Sequence, residues 1–190
     1  MTDFLTDLEQ CLITLHNGGV ILYPTDTVWA LGCDATNEAA VQKLMNLKGK
    51  SEQKGLIIIL GSEREVLQYV ANPDMEVFNF LAQQSKPTTV IYQNGLGVAE
   101  HVLNADGTIA IRLVNENFCR HLVKRFKKPI VSTSANYSGN PSPAHFFNIN
   151  KDLLKKVDYT VQFRRNDTEV KQSSAIIKWN ADGTATFLRK

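Results

Sequence analysis

Residues 56–60 read Leu56-Ile57-Ile58-Ile59-Leu60, an unbroken apolar run with three β-branched side chains. Such a run has no polar side to turn toward water, so as a strand it must be covered on both faces. The chain supplies that cover. Leu5, Leu8, Leu12 and Leu15 recur at three- and four-residue spacing with Cys11 beside them, which predicts a helix that Gly18-Gly19 ends. Asn37 is placed to cap a second helix whose apolar face is Ala40, Val41, Leu44 and Leu47. Helical patterns recur over 63–70, 74–84 and 116–126. Strands are expected at Val20 to Tyr23, stopped by Pro24, at Thr88 to Tyr92, at Thr108 to Leu113 and at Pro129 to Ser132. Three more are expected over 157–163, 174–179 and 184–188, the last two joined by Asn180-Ala181-Asp182-Gly183. Gln93 to Gly107 reads as loop, and the polar, turn-rich stretch 132–143 as no part of the core. A chain of 190 residues makes one domain at about 150 residues per domain. Alternating helices and strands that close on a hairpin predict a single α/β domain, residues 1–190, with a twisted mixed β-sheet flanked by helices.

Several function classes fall away. The longest strongly apolar stretch is that five-residue run, far short of the ~18 residues a membrane helix needs. Met1-Thr2-Asp3-Phe4 does not look like the start of a signal peptide, and Cys11, Cys33 and Cys119 are scattered with no C-x-x-C pair, so a reducing cytoplasm is expected and a zinc site is not. The formal charge of +2 draws no polyanion by net field, though a local basic groove is allowed. Gly49-Lys50-Ser51 fails as a P-loop because Leu44 stands where the leading glycine belongs. Neither the Rossmann fingerprint nor a serine-hydrolase elbow is present.

Three polar segments lie beside buried strands, where α/β proteins place ligand sites. They are Pro24-Thr25-Asp26-Thr27, the lysine-rich Lys48-Gly49-Lys50-Ser51-Glu52-Gln53-Lys54, and Ser132-Thr133-Ser134-Ala135-Asn136-Tyr137-Ser138-Gly139. Lysines would bind an anion and the hydroxyls and amide would orient it. Each segment alone also reads as a turn, a helix cap or a solvated face. Lys124-Arg125-Phe126-Lys127-Lys128 reads as a solvated helix end.

Taken in order, these segments, extended to Tyr23–Gly32 and joined by Thr108-Ile109-Ala110-Ile111-Arg112, resemble the YrdC-like family of threonylcarbamoyl-AMP synthases, the bacterial TsaC type with a single YrdC-like domain. The resemblance runs from about Gly18 to Arg189. It implies a concave basic face and synthesis of threonylcarbamoyl-AMP from L-threonine, bicarbonate and ATP, with Mg²⁺ accompanying the nucleotide and pyrophosphate released. A partner transferase complex would receive the product for threonylcarbamoyladenosine modification of tRNA, and RNA is a candidate partner for the basic face. Carried onto this chain, the resemblance implies Lys48, Lys50, Ser134 and Asn136 as catalytic. Thr27, Arg112, Ser132 and Ser173 fall at the threonine and carbamate site. Lys50, Lys54, Thr108, Ser134, Asn136, Ser142 and Arg189 fall at nucleotide contacts. No metal site made by protein side chains alone is implied. Two departures stand out. Lys50 replaces the family's arginine and loses its bidentate fork, and Lys86-Pro87-Thr88-Thr89-Val90 replaces a Pro-Gly-Pro-(Leu/Val)-Thr element. The rivals are a non-catalytic YrdC-like RNA- or nucleotide-binding protein and a related carbamoyl-adenylate-forming enzyme with another acceptor.

Overall fold

The computed structural model describes residues 4–49 and 56–190. The first helix, α1 (Leu5–His16), buries Leu8, Cys11 and Leu15 of the predicted stripe, while Leu12 is half-buried and Leu5, in the first turn, is exposed. Strand β1 (Ile21–Tyr23) follows, and β2 (Ala30–Gly32) pairs back onto it antiparallel. Helix α2 (Glu38–Leu47) starts where expected, with the Asn37 side chain accepting the Ala40 amide at 3.1 Å. The apolar run becomes β3 (Ile57–Leu60). Two short helices, α3 (Glu63–Val66) and α4 (Glu76–Ala82), lead to β4 (Thr88–Tyr92). Then come β5 (Ile109–Leu113), α5 (Asn117–Phe126), β6 (Ile130–Val131) and β7 (Thr133–Ser134). Helix α6 (Lys151–Lys156), β8 (Tyr159–Thr160) and the hairpin of β9 (Ala175–Trp179) and β10 (Ala185–Arg189) complete the elements.

The fold is mixed α/β as expected, with its strands divided between two mixed sheets. One has the order β7-β2-β1-β8 and the other β10-β9-β4-β5-β3-β6. Strand β3 sits inside the larger sheet, parallel to β5 and antiparallel to β6, with Ile58, Ile59 and Leu60 fully buried. That is the double cover its composition demands.

A short segment ties the sheets together. β6 pairs with β3 on one edge; on the other, the Val131 amide donates to the Cys33 carbonyl and the Ala35 amide to the Pro129 carbonyl. Two residues on, β7 pairs with β2. Stretch 132–143 was expected to stay clear of the core; its first residues instead form this strand, and Ala135 is fully enclosed. Gly32 stands where the sheets meet: a Cβ there would lie 2.6 Å from the Val131 carbonyl oxygen and 2.7 Å from the Tyr23 ring. Any side chain would push β2 off β6.

A buried carboxylate closes the smaller sheet over α1. Asp7, 6% exposed, accepts the Tyr159 hydroxyl at 2.6 Å and the amides of Gln162 and Phe163 at 2.9 and 2.8 Å. Asp7→Ala strips three donors of their acceptor, a cost of about 2–4 kcal/mol. Urea denaturation is expected to show a lower midpoint with an unchanged slope.

Candidate functional site

The seam between the sheets opens into a cavity of about 200 Å³. Its wall is assembled from distant parts of the chain: Thr27, Val28 and Ala30 from the smaller sheet and its turn, Leu56 and Ile57 at the start of β3, and Arg112 from β5. Ser132, Thr133 and Ser134 come from the link that changes sheets, Ser142 from the loop after it, and Ser173, Ser174 and Arg189 from the C-terminal hairpin region.

Register places the two arginines on one face of the larger sheet. Arg112 is paired with Ile59 on one side and Thr89 on the other, Thr89 with Ile176, and Ile176 with Arg189. Side chains paired in this way stand side by side. The Thr89 hydroxyl contacts that of Ser174 at 2.8 Å, while Arg189 donates through Nε to the Ser174 carbonyl at 2.8 Å.

Arg112 as a residue is only 4% exposed. Its Nη1 donates to the Thr27 hydroxyl at 3.1 Å. Nη2 lies 3.2 Å from Oδ1 of Asp26, an ion pair without hydrogen-bond alignment, and neither Nε nor Nη2 has an aligned acceptor among the described residues. The turn carrying Asp26 and Thr27 is held by Thr25, whose hydroxyl donates to the Val28 carbonyl at 2.7 Å and accepts the Thr27 amide at 3.0 Å. Burial, and then the Arg112 charge, hold the Arg189 guanidinium below its usual pKa. Two guanidinium groups on one face of the sheet, Arg112 buried and Arg189 exposed, at the edge of a hydroxyl-lined cavity can hold an anion.

Seven expected residues meet here: Thr27, Arg112, Ser132, Ser134, Ser142, Ser173 and Arg189. Others are placed differently. The Lys48 ammonium, on a residue 5% exposed, donates to the carbonyls of Ser134 and Asn136 at 2.6 and 2.9 Å, and the Lys48 carbonyl accepts the Ser138 amide. Lys48 therefore holds the loop behind Ser134 and is not in the cavity wall. Asn136 is not in the wall: its amide nitrogen donates to the carbonyls of Tyr137 and Asn140, and its Oδ1 is buried without a donor among the described residues. Thr108 precedes β5, and its hydroxyl donates to Asp106 at 2.6 Å. Four residues of strand separate it from Arg112, roughly 13 Å, so the cavity does not include it. Lys50 and Lys54 lie outside the described residues. Sequence reading missed Asp26 as the counter-ion of Arg112, and also Thr89 and Ser174. All three stand within motifs named by the resemblance, Asp26 in Pro24–Thr27, Thr89 in Lys86–Val90 and Ser174 in Ser173–Ile176. What no local stretch carries is that Thr89 and Ser174 meet, which follows from strand register.

The protein is thus of the α/β class, with an arginine- and hydroxyl-lined cavity at the junction of two sheets. Comparison with known proteins makes the class specific. Residues 14–190 match the model of the Sua5/YciO/YrdC family, described as "Telomere recombination", and the chain belongs to that family. A "Threonylcarbamoyl-AMP synthase" of Saccharophagus degradans is 38% identical over 133 residues, 70% of each chain. Another of that name, from Xanthomonas euvesicatoria, is 34% identical over 164 residues, covering 85% of this chain and 87% of its own. Among solved structures, E. coli YciO superposes with a TM-score of 0.83 at 22% identity, over 97% of this chain and 89% of its own. P. abyssi Sua5 in complex with L-threonine gives 0.82 at 22%, over 97% of this chain. This chain spans about half of that Sua5, 54%. At these identities the two structures share the fold.

The crowded cations generate a prediction. Inorganic pyrophosphate should raise the melting temperature, because an anion at 100 times its dissociation constant adds about 2.7 kcal/mol. Arg112→Gln and Arg189→Gln should each remove most of that increment, as read by differential scanning fluorimetry.

Proposed function

We propose that this chain is a threonylcarbamoyl-AMP synthase, with residues 1–190 acting as one YrdC-like domain in the cytoplasm. The observation that carries this is the convergence of Arg112, Arg189 and a wall of hydroxyls in one small cavity, in a chain whose relatives bear that enzyme's name. The substrates are L-threonine, bicarbonate and ATP. The threonine amine nitrogen bonds to the bicarbonate carbon, a carbon–oxygen bond of bicarbonate breaks, and water leaves with the amine proton to give a carbamate. A carbamate oxygen then attacks the α-phosphorus of ATP, the bond from that phosphorus to the bridging oxygen breaks, and pyrophosphate leaves with the electron pair.

Every partner in that step is negative, so the protein's task is charge and position. Arg112 offers Nε and Nη2 to a carboxylate or carbamate, steadied from behind by Asp26 and Thr27. Arg189 adds the second charge. Ser132, Ser134 and Ser173 supply hydroxyl hydrogen bonds, fixing the attacking oxygen against the phosphorus. The cavity suits an amino-acid carbamate rather than a whole nucleotide, which would extend past Ser142, whose residue is exposed. Lys50 and Lys54 are further candidates for its phosphates. Mg²⁺ would enter with ATP and offset part of its phosphate charge. No helix among the described residues is long and apolar enough to cross a membrane. A transferase complex that modifies tRNA is the consumer of the product, since the mixed anhydride is an activated acyl donor.

The deciding experiment is pyrophosphate release from ATP with and without L-threonine and bicarbonate. Release that requires both is expected; RNA or nucleotide binding with no such turnover would establish the non-catalytic reading instead. Lys48 is proposed to act through the loop it holds. Lys48→Ala should lower kcat/KM by ~10²-fold, about 2.7 kcal/mol, as Ser134 and Asn136 lose their anchor, and unchanged turnover would remove Lys48 from the machinery.

A further inference from the structure

Helix α5 presents a second charged surface, one that the synthase reaction does not use. Its buried side is apolar: Phe118, Cys119, Leu122, Val123 and Phe126. From residue 120 to 128 the exposed positions are Arg120, His121, Lys124, Arg125, Lys127 and Lys128, and no other residue type intervenes among them. Five of the chain's 21 lysines and arginines thus fall within nine residues of a protein whose net charge is +2. Among the described residues Lys128 has a counter-ion, Asp34 at 2.7 Å, and the other cations of this ridge have no carboxylate within ion-pair distance.

Two features set the ridge apart from an ordinary solvated helix end. Complementing the helix dipole accounts for Lys124 and Arg125 in the last turn, but that effect fades within one turn and does not reach Arg120. Arg120 and Lys124 stand four residues apart within the helix, so these like charges repel along one face. Lys127 is held in the left-handed conformation at φ 59°, a C-terminal position that glycine or asparagine fills with less strain. A hollow of about 190 Å³ lies beside the ridge, lined by Lys124, Lys127 and Lys128 together with Gln68 and Tyr69. Glu65 also lines it, with its carboxylate accepting the Gly61 amide at 2.8 Å.

We infer that this ridge binds a single-stranded stretch of nucleic acid, with phosphates on the cations and a base in the hollow against Tyr69. The surface is wrong for a protein partner: interface cores are depleted of lysine and need apolar anchors, and none of the exposed large hydrophobic residues lies on α5. It suits a phosphodiester strand, whose binding sites combine a basic track with an aromatic platform. None of the ridge residues lines the cavity at the seam, so strand binding and synthase chemistry would occupy separate surfaces.

The test uses the full chain and a fluorescein-labelled 20-nucleotide single-stranded RNA, followed by anisotropy between 50 and 200 mM salt. A triple variant, Arg120→Ala, Lys124→Ala and Lys127→Ala, is expected to bind about tenfold or more weakly and to lose about 2 units of salt slope, roughly 0.7 for each phosphate contact removed. Its melting temperature and pyrophosphate release should match those of the parent, which separates failure of the ridge from failure of the synthase reading. Undiminished binding and slope in the variant would overturn the inference, as would absence of binding by the parent at 50 mM salt. Equal competition by poly-L-glutamate of matched charge would reassign the ridge to acidic proteins and also overturn it.

Discussion

The architecture depends on one stretch of backbone, residues 129–135, being shared by two sheets. Its amides and carbonyls are bonded to β3 on one side and to residues 33–35 on the other before the chain enters β7. Backbone polar groups buried at such a junction must all find partners, so the angle between the sheets is set by hydrogen bonds as well as by side-chain packing. Gly32 lets the two backbones approach closely enough for this. The cavity is the space left at that junction, and Ser132, Thr133 and Ser134 reach it because the chain is changing sheets where they occur.

Electrostatics then ties the fold to its chemistry. A guanidinium as enclosed as that of Arg112 is costly to bury unless its donors are met. Asp26 supplies charge without alignment and Thr27 one aligned acceptor, which leaves donors to spare. Arg189 adds a second positive group to the same wall. An anion placed there would meet the unaligned Nε and Nη2 of Arg112 and the Arg189 guanidinium together. Preorganised donors of this kind stabilise developing negative charge without having to move during the reaction.

Much of the framework was readable in the chain. The leucine stripe of α1, the Asn37 cap of α2, the boundaries of β4 and the buried β3 follow from period, capping chemistry and composition. The candidate site was legible as a set of motifs, and Thr27, Arg112, Ser134 and Arg189 do meet. Strands β2 and β7 and helix α6 were not foreseen. The two strands are three and two residues long, and β7 exists only because β2, a hundred residues earlier, offers it an edge. In α6, of the six residues only Leu153 is buried, too little for a periodic signal.

By itself the sequence determined which segments are apolar on one side, which on both, and which polar residues stand next to strand ends, because these properties are carried by neighbouring side chains. Only the tertiary structure decided how those segments are used. Thr108 and Arg112 belong to one motif, yet Thr108 precedes β5 while Arg112 lies near its far end, and the rise of the strand separates them. Lys48 resembles a substrate contact, yet its ammonium is taken up by the carbonyls of Ser134 and Asn136. Backbone acceptors have no residue type, and register is a relation between strands far apart in the chain, so neither is written in any local stretch of residues.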